Sequence, residues 1–328
     1  MGLVGRRRVL LAGGALAATA GVYAQAPARA AHLAILSDSI DTAAAPRWRA
    51  FHQRLRELGY REGANLRISA RYSEGVQSRL PGLAAEMVAL APDVIVCATT
   101  TATLAAKRAT SVLPIVFIGA AEPVDTGLVA SLARPGGNVT GTAIVSAEMS
   151  GKWMEILKEI SPGARKFAFL GQASNPGLAV VFRSMQAAAA SLDSSAQLLE
   201  ATDSAQVDQA FAVMVAEKFD AFMVASAPVI LPHSRQIVEL AARHRLPGLY
   251  ARDEYIAEGG LLSYTPDRDA YFRRAAEYVH RIFQGTRPAD LPVERPTKFY
   301  LVINLKVARA LDLKIPQSIL LRADRVIE

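Results

Sequence analysis

The sequence predicts an α/β fold of two lobes, each a doubly wound parallel sheet, facing each other across a cleft. Three observations carry this expectation. Short apolar runs rich in β-branched residues alternate with helical stretches along the whole chain, the order that βαβ units require. That order occurs twice with local likeness: Pro92 to Thr99 aligns with Phe219 to Ser226, and Leu113 to Phe117 aligns with Leu246 to Tyr250. After Gly259-Gly260 come pieces that complete neither set alone, so they must be shared between the two.

The first thirty residues are a separate object. Arg6-Arg7-Arg8, an uncharged apolar run from Val9 to Val22 and Ala28-Arg29-Ala30 follow the order of an export signal. The paired arginines also permit a twin-arginine signal, and an uncleaved anchor is the competing reading. Cleavage after Ala30 is expected. It removes four arginines and no acid, leaving 33 basic against 30 acidic residues in place of a net +7. That near balance gives no basic surface for nucleic acid. The single cysteine, Cys97, cannot form an internal disulfide and is expected to pack as a small hydrophobe. No cysteine follows the apolar run, so a lipid-anchored form is not expected.

Leu33 to Leu36 is the first strand and ends on Ser37-Asp38-Ser39. Pro46 to Leu58 is a helix, with Trp48, Phe51, Leu55 and Leu58 on one face and Gly59 as its stop. Leu66 to Tyr72 is a strand and Leu80 to Leu90 a helix. Val94 to Cys97 is an unbroken apolar strand, buried on both faces. Thr99, Thr100 and Thr101 follow it and lead into a helix. Pro114 to Ile118 is a strand ending in Gly119 to Pro123; Gly127 to Leu132 is a short helix; Pro135 to Asn138 is a turn. Val139 to Val145 is extended and is placed to cross between lobes.

Met149 to Ile160 is a helix, stopped by Ser161-Pro162-Gly163. The second set then runs strand 167–170, helix 176–192, strand 196–200, helix 207–218, strand 221–225, helix 234–244 and strand 248–251. Leu261 to Tyr264 is a strand, Asp267 to Gln284 a helix, Phe299 to Ile303 a strand and Leu305 to Leu311 a helix. Lobe 1 is therefore expected to hold residues 31–145 plus about 261–290, and lobe 2 residues 146–260 plus about 297–328.

Open α/β sheets bind ligands beyond the carboxyl ends of their strands. Small or polar residues stand at each such end. In the first lobe these are Ser37 and Asp38, Thr99 to Thr101, and Ala120 to Glu122. In the second they are Ser174 and Asn175, Ser226, and Arg252 to Glu254. Tyr264 and Asp267 sit on the crossing segment, and Tyr250 near the end of its strand. The helix start at Thr99–Thr101 offers free backbone N–H groups and a partial positive charge, which suits a carboxylate. A threonine there also serves as an ordinary N-cap. Asp38, Glu122 and Asp267 are candidates for an ammonium group. Their competing roles are an Asx-turn, a solvated carboxylate and a helix cap. Tyr250 and Tyr264 either stack on a ligand or pack in the core.

No glycine-rich loop opens a helix, no Walker loop exists and no G-x-S-x-G elbow supplies a nucleophile. The five histidines form no pair at metal-ligand spacing. Hence no cofactor, no metal and no catalytic residue is expected.

Leu128 to Gly141, with its core Ala133-Arg134-Pro135-Gly136-Gly137-Asn138-Val139-Thr140-Gly141, resembles the signature of the ABC-transporter substrate-binding proteins of the tryptophan/tyrosine type. So do Arg56 to Tyr60, Gly259 to Tyr264, Pro296 to Phe299 and Ala310 to Ser318, in the same order and spacing over residues 32–328. The resemblance implies a periplasmic binding protein type I, with two Rossmann-like lobes, a three-segment hinge and a central cleft. It implies a monomer in the periplasm that binds a small carboxylate-bearing solute, an amino acid or aromatic acid, and hands it to an ABC permease and its ATPase. It implies the carboxylate at Thr99 and Thr100. After the corresponding strand of the second lobe, where some members carry acidic or amide residues, this chain has Ser226-Ala227-Pro228. A ligand-sensing partner of a membrane receptor would share the same fold. A secreted enzyme would need a nucleophile or general base that the chain does not display.

Overall fold

A computed structural model of the chain describes residues 30–38, 46–144 and 147–328. The expected export signal lies outside the described residues except for Ala30, as do Ser39 and Val145. Among the described residues no helix is long and apolar enough to cross a membrane.

The first lobe is built on β1 (Ala31–Ser37), α1 (Pro46–Glu57), β2 (Leu66–Tyr72), α2 (Leu80–Ala89), β3 (Val94–Cys97), α3 (Thr100–Ala109), β4 (Ile115–Ala120) and β5 (Val139–Ala143). Its five strands lie parallel in the order β2-β1-β3-β4-β5. The chain then enters the second lobe through α4 (Ala147–Ile160). β6 (Lys166–Gly171), α5 (Pro176–Ser191), β7 (Ser195–Glu200), α6 (Ser204–Ala216), β8 (Ala221–Val224), α7 (Ser234–Arg243) and β9 (Gly248–Tyr250) follow. After the short α8 (Glu254–Ala257) comes β10 (Leu262–Pro266). α9 (Arg268–Phe283) returns to the first lobe, where it packs on α1 and β4. β11 (Phe299–Asn304), α10 (Leu305–Ala310), α11 (Gln317–Arg322) and β12 (Arg325–Ile327) end the chain on the second sheet. That sheet runs β12-β11-β10-β9-β8-β6-β7, with β10 and β11 antiparallel and the other neighbours parallel.

The chain thus crosses between the sheets three times: after β5, at Pro266-Asp267, and between Glu294 and Phe299. Leu262–Pro266 hydrogen-bonds in the second sheet, whereas the sequence reading placed 261–290 with the first lobe. The helix of that segment and the turn after it, Pro288–Asp290, do sit there: the helix packs its apolar face (Tyr271, Phe272, Ala275, Ala276, Val279) into the first lobe's core with Trp48 and Phe51, and the turn packs on β5.

Gly127 to Leu132 forms turns and no helix. Gly127 takes φ +70°, and Lys107 Nζ draws the Gly127 and Leu128 carbonyls at 2.6 and 3.2 Å, away from any helical ladder. Leu128 and Val129 are buried in the first lobe's outer core all the same.

Strand register decides which loops meet. Leu36 on β1 stands opposite Cys97 on β3, and Cys97 opposite Phe117 on β4. The residues just beyond, Ser37-Asp38, Ala98-Thr99 and Gly119 to Ala121, therefore share one rim. A register shift between Ile118 and Ala120 puts Gly119 at that rim. In the second lobe Leu170 pairs with Val224 and Val224 with Tyr250. Gln172, Ser226 and Arg252 are brought together in the same way.

Candidate functional site

The two rims face each other across a partly open cleft. From the first lobe Asp38, Thr99, Thr100, Gly119, Ala121 and Ile144 line it. From the second come Trp153 on α4, Phe169 on β6, Gln172, Asn175, Leu178 and Val181 around α5, and Ala225 to Pro228 after β8. A second recess shares Thr99, Gly119, Ile144, Ser226 and Pro228 with it and adds Ser37, Arg252, Arg268 and Tyr271. The lobes also touch at the rim. Ser174 Oγ donates to Gln77 Oε1 across the gap at 3.1 Å. Gly177, in the first turn of α5, lies so close to Thr100 and Ala121 that a Cβ there would meet Thr100 Oγ1 at 2.8 Å.

The three threonines after β3 have separate tasks. Thr99 is extended, and its Oγ1 caps α3 by accepting from Ala102 N–H at 3.2 Å. Thr100 Oγ1 accepts from Ala121 N–H at 3.0 Å, which ties the helix start to the end of β4. Thr101 Oγ1 donates to Asp38 Oδ2 at 2.9 Å. The helix start therefore already has a carboxylate beside it, that of Asp38.

Six of the residues singled out in the sequence line the cleft: Ser37, Asp38, Thr99, Thr100, Asn175 and Ser226. Asn175 also caps α5 through Gly177 N–H at 3.0 Å. Thr101 supports the rim from behind through Asp38. Ala120 is buried in the first lobe's core. Glu122 is buried at φ +42°, with Arg295 Nη2 at 3.8 Å. Tyr250 is core: it stacks on Tyr255 with centroids 4.8 Å apart, and burial pushes its hydroxyl pKa up. Tyr264 stacks on Phe299 at 5.5 Å. Asp267 caps α9 through Ala270 N–H at 3.1 Å and accepts from Tyr300 Oη at 3.2 Å.

Sequence reasoning missed Trp153, Phe169, Gln172 and Arg268. Trp153 is 1% exposed, and its Nε1 donates to the Tyr264 carbonyl at 3.2 Å. One signal could have found it: a large aromatic in the first helix after a lobe crossing. Arg252, named in the sequence only as part of a strand end, is fully buried. Its Nη2 donates to Glu254 Oε1. Burial, together with the neighbouring charge of Arg268, lowers the Arg252 pKa from the ordinary arginine value. The guanidinium nevertheless stays protonated, because no shift of that kind brings it near neutrality. Burial raises the pKa of Glu254, but Arg252 and Arg268 outweigh it and hold the carboxyl well below its usual range. Among the described residues no group of three His, Cys, Asp or Glu side chains could hold a metal ion.

Residues 38–327 match the family of ABC transporter substrate binding proteins, and the chain belongs to it. A tyrosine-binding protein of Clostridioides difficile is 25% identical over 265 residues, 80% of this chain and 76% of that one. The fold superposes on a Streptococcus pneumonia ABC domain in complex with L-Trp with a TM-score of 0.83, at 24% identity over 91% of this chain and all of that one. A ligand-free, open substrate-binding protein from Clostridium difficile gives 0.64, at 21% identity over 90% of this chain and 99% of that one. At these identities the two structures speak for the fold: two parallel-sheet lobes of the periplasmic binding protein type I kind.

Proposed function

As this is a chain of the ABC transporter substrate-binding family, we propose that it is the extracytoplasmic solute-binding component of an ABC importer. Its solute is a small carboxylate-bearing molecule, an amino acid or an aromatic acid, held by closure of the two lobes. The observation that carries this reading is the cavity shared by both rims. Polar groups (Asp38, Thr99, Thr100, Asn175, Ser226) and an apolar wall (Trp153, Phe169, Leu178, Val181) line one space that neither lobe encloses alone. Ligand pockets combine these two surfaces, the apolar part for area and the few polar groups for orientation. The tyrosine-binding relative and the L-Trp complex support the solute class. Three chain crossings between the lobes allow a hinge motion, and closure gives a permease a shape to recognise.

Small-angle scattering of the purified protein tests the mechanism, with amino acids and aromatic acids added in turn. The radius of gyration falls with a solute that binds. A constant radius at calorimetric saturation overturns the closing cleft. Native mass spectrometry, followed by denaturation to release any retained small molecule, identifies the solute.

A further inference from the structure

Among the described residues that line the space between the lobes, the cations are Arg252 and Arg268, and both have unused hydrogen-bond donors. Arg252 lies at the end of β9 and is 0% exposed. Glu254 takes its Nη2, while Nε and Nη1 are sealed from solvent and make no hydrogen bond. Arg268, in the first turn of α9, likewise has a sealed Nη1 with no partner. Both side chains line the second recess together with Ser37, Thr99, Ser226 and Tyr271, and no acid lines it with them. A buried donor without a partner costs free energy, and the repulsion between the two neighbouring guanidiniums is offset only in part by Glu254, which attracts both. A planar oxyanion set against both edges removes both costs, since a guanidinium fork matches a carboxylate.

The Thr99–Thr101 helix start is the weaker seat for the same group. Thr99 spends its hydroxyl on the cap, Thr100 accepts from Ala121, and Thr101 donates to Asp38. The Asp38 carboxylate already stands at that positive helix end.

We propose that Arg252 and Arg268 are the seat of the solute's anionic group, with the Asp38–Thr99 rim facing its neutral or cationic part and Trp153 and Phe169 its apolar body. This rests on the solute-binding reading above and makes it narrower: the solute is selected for an acid group placed at the α9 end of the cleft.

The probes are benzoate, its neutral counterpart benzamide, and sulfate, titrated calorimetrically into the purified protein at ionic strength matched with chloride. Benzoate and sulfate are expected to bind, and benzamide to bind at least about tenfold more weakly than benzoate. Arg268→Gln should erase that anion preference, bringing benzoate to about the affinity of benzamide in the same variant. Arg252→Lys, checked for native circular dichroism, should lose part of it, because an ammonium cannot present the fork. Equal anion binding by wild type and R268Q overturns the proposal. So does equal binding of benzoate and benzamide, or no anion binding beyond chloride. The solute-binding reading fails on a different readout: a radius of gyration that no saturating solute reduces. R268Q that still compacts with a neutral solute would separate the two.

Discussion

The two walls of the cleft are made in the same way and are chemically opposite. Each is a row of loops at the carboxyl ends of parallel strands, aligned by register. The first lobe presents hydroxyls and Asp38 at the start of α3, a surface of small groups hydrogen-bonded to one another within the rim. The second presents Trp153, Phe169 and the buried Arg252, a surface of large groups whose polar atoms are partly unused. The first wall is therefore held chiefly by bonds among its own residues. The second depends on what lies against it. In a protein that closes on a solute, this asymmetry puts rigidity in one lobe and selection in the other.

The largest expected effect falls on the second wall. Trp153→Ala removes a side chain 1% exposed that belongs both to the cleft and to the core under α4. Truncation of a buried Trp costs about 3–5 kcal/mol. Urea denaturation should show that loss, and solute affinity should fall with it. A stability change below about 1 kcal/mol would mean that Trp153 sits loosely and that the walls do not differ in packing.

Glu254→Gln comes next. It leaves Arg252 without the carboxylate it pairs with. Breaking a buried pair costs about 3–5 kcal/mol, but the Glu254 side chain is 42% exposed, so about 1–2 kcal/mol is expected. The pH dependence has a definite sign. Glu254 titrates lower in the folded protein than in the unfolded one, at about 2. Its contribution is thus fully present above the ordinary glutamate range, near pH 5, and is lost as pH falls toward 2. Urea midpoints should drop as pH falls below about 5, and E254Q should drop less steeply. Parallel curves for the two proteins would remove the ion pair from the account.

How much of this contrast the sequence displayed follows from how local each cause is. β2 and β3 are both marked to the residue, the half-exposed edge strand Leu66–Tyr72 by its alternation and Val94–Cys97 by its unbroken apolar run, since a parallel strand buried on both faces reads as a continuous hydrophobic stretch. The hydroxyls of the first wall stand next to one another in the chain, so their place at a helix start is legible. α8, α11 and β12 are six residues or fewer and carry no periodicity to recognise. Trp153 and Arg268 reach the cleft only because the chain crosses between lobes just before each of them, which is a fact of topology. Tyr250 and Tyr264 had the composition of ligand stackers. Each found an aromatic partner inside its own lobe, Tyr255 and Phe299, and packing decided against the cleft.

Thr99→Val with Thr100→Val tests the first wall. The pair removes the α3 cap and the Thr100–Ala121 bond. About 1 kcal/mol of helix stability and about a fivefold loss of solute affinity are expected, the same for an acid and for its amide. A loss confined to the acid would return the anion to the helix start and reverse the roles assigned to the two walls. Paired calorimetric titrations with benzoate and benzamide distinguish these outcomes.

The smallest effect is the sharpest test of the comparison, because its sign differs between states. Gly177 lies in the first turn of α5, at the point where the second wall meets the first. An alanine there favours the helix by up to about 1 kcal/mol. With the lobes together, its Cβ meets Thr100 Oγ1 at 2.8 Å and Ala121 Cβ at 3.0 Å. The lobes must then separate by some tenths of an ångström or the Thr100 rotamer must change. Thr100 is held by Ala121 N–H, so the rim resists that change. Gly177→Ala should therefore leave the thermal midpoint of the solute-free protein unchanged or raised. It should weaken solute binding several-fold and reduce the compaction seen by scattering. Unchanged affinity with a raised midpoint would show that the Gly177–Thr100 approach is no part of the bound state, and that the first wall yields more readily than its hydrogen bonds indicate.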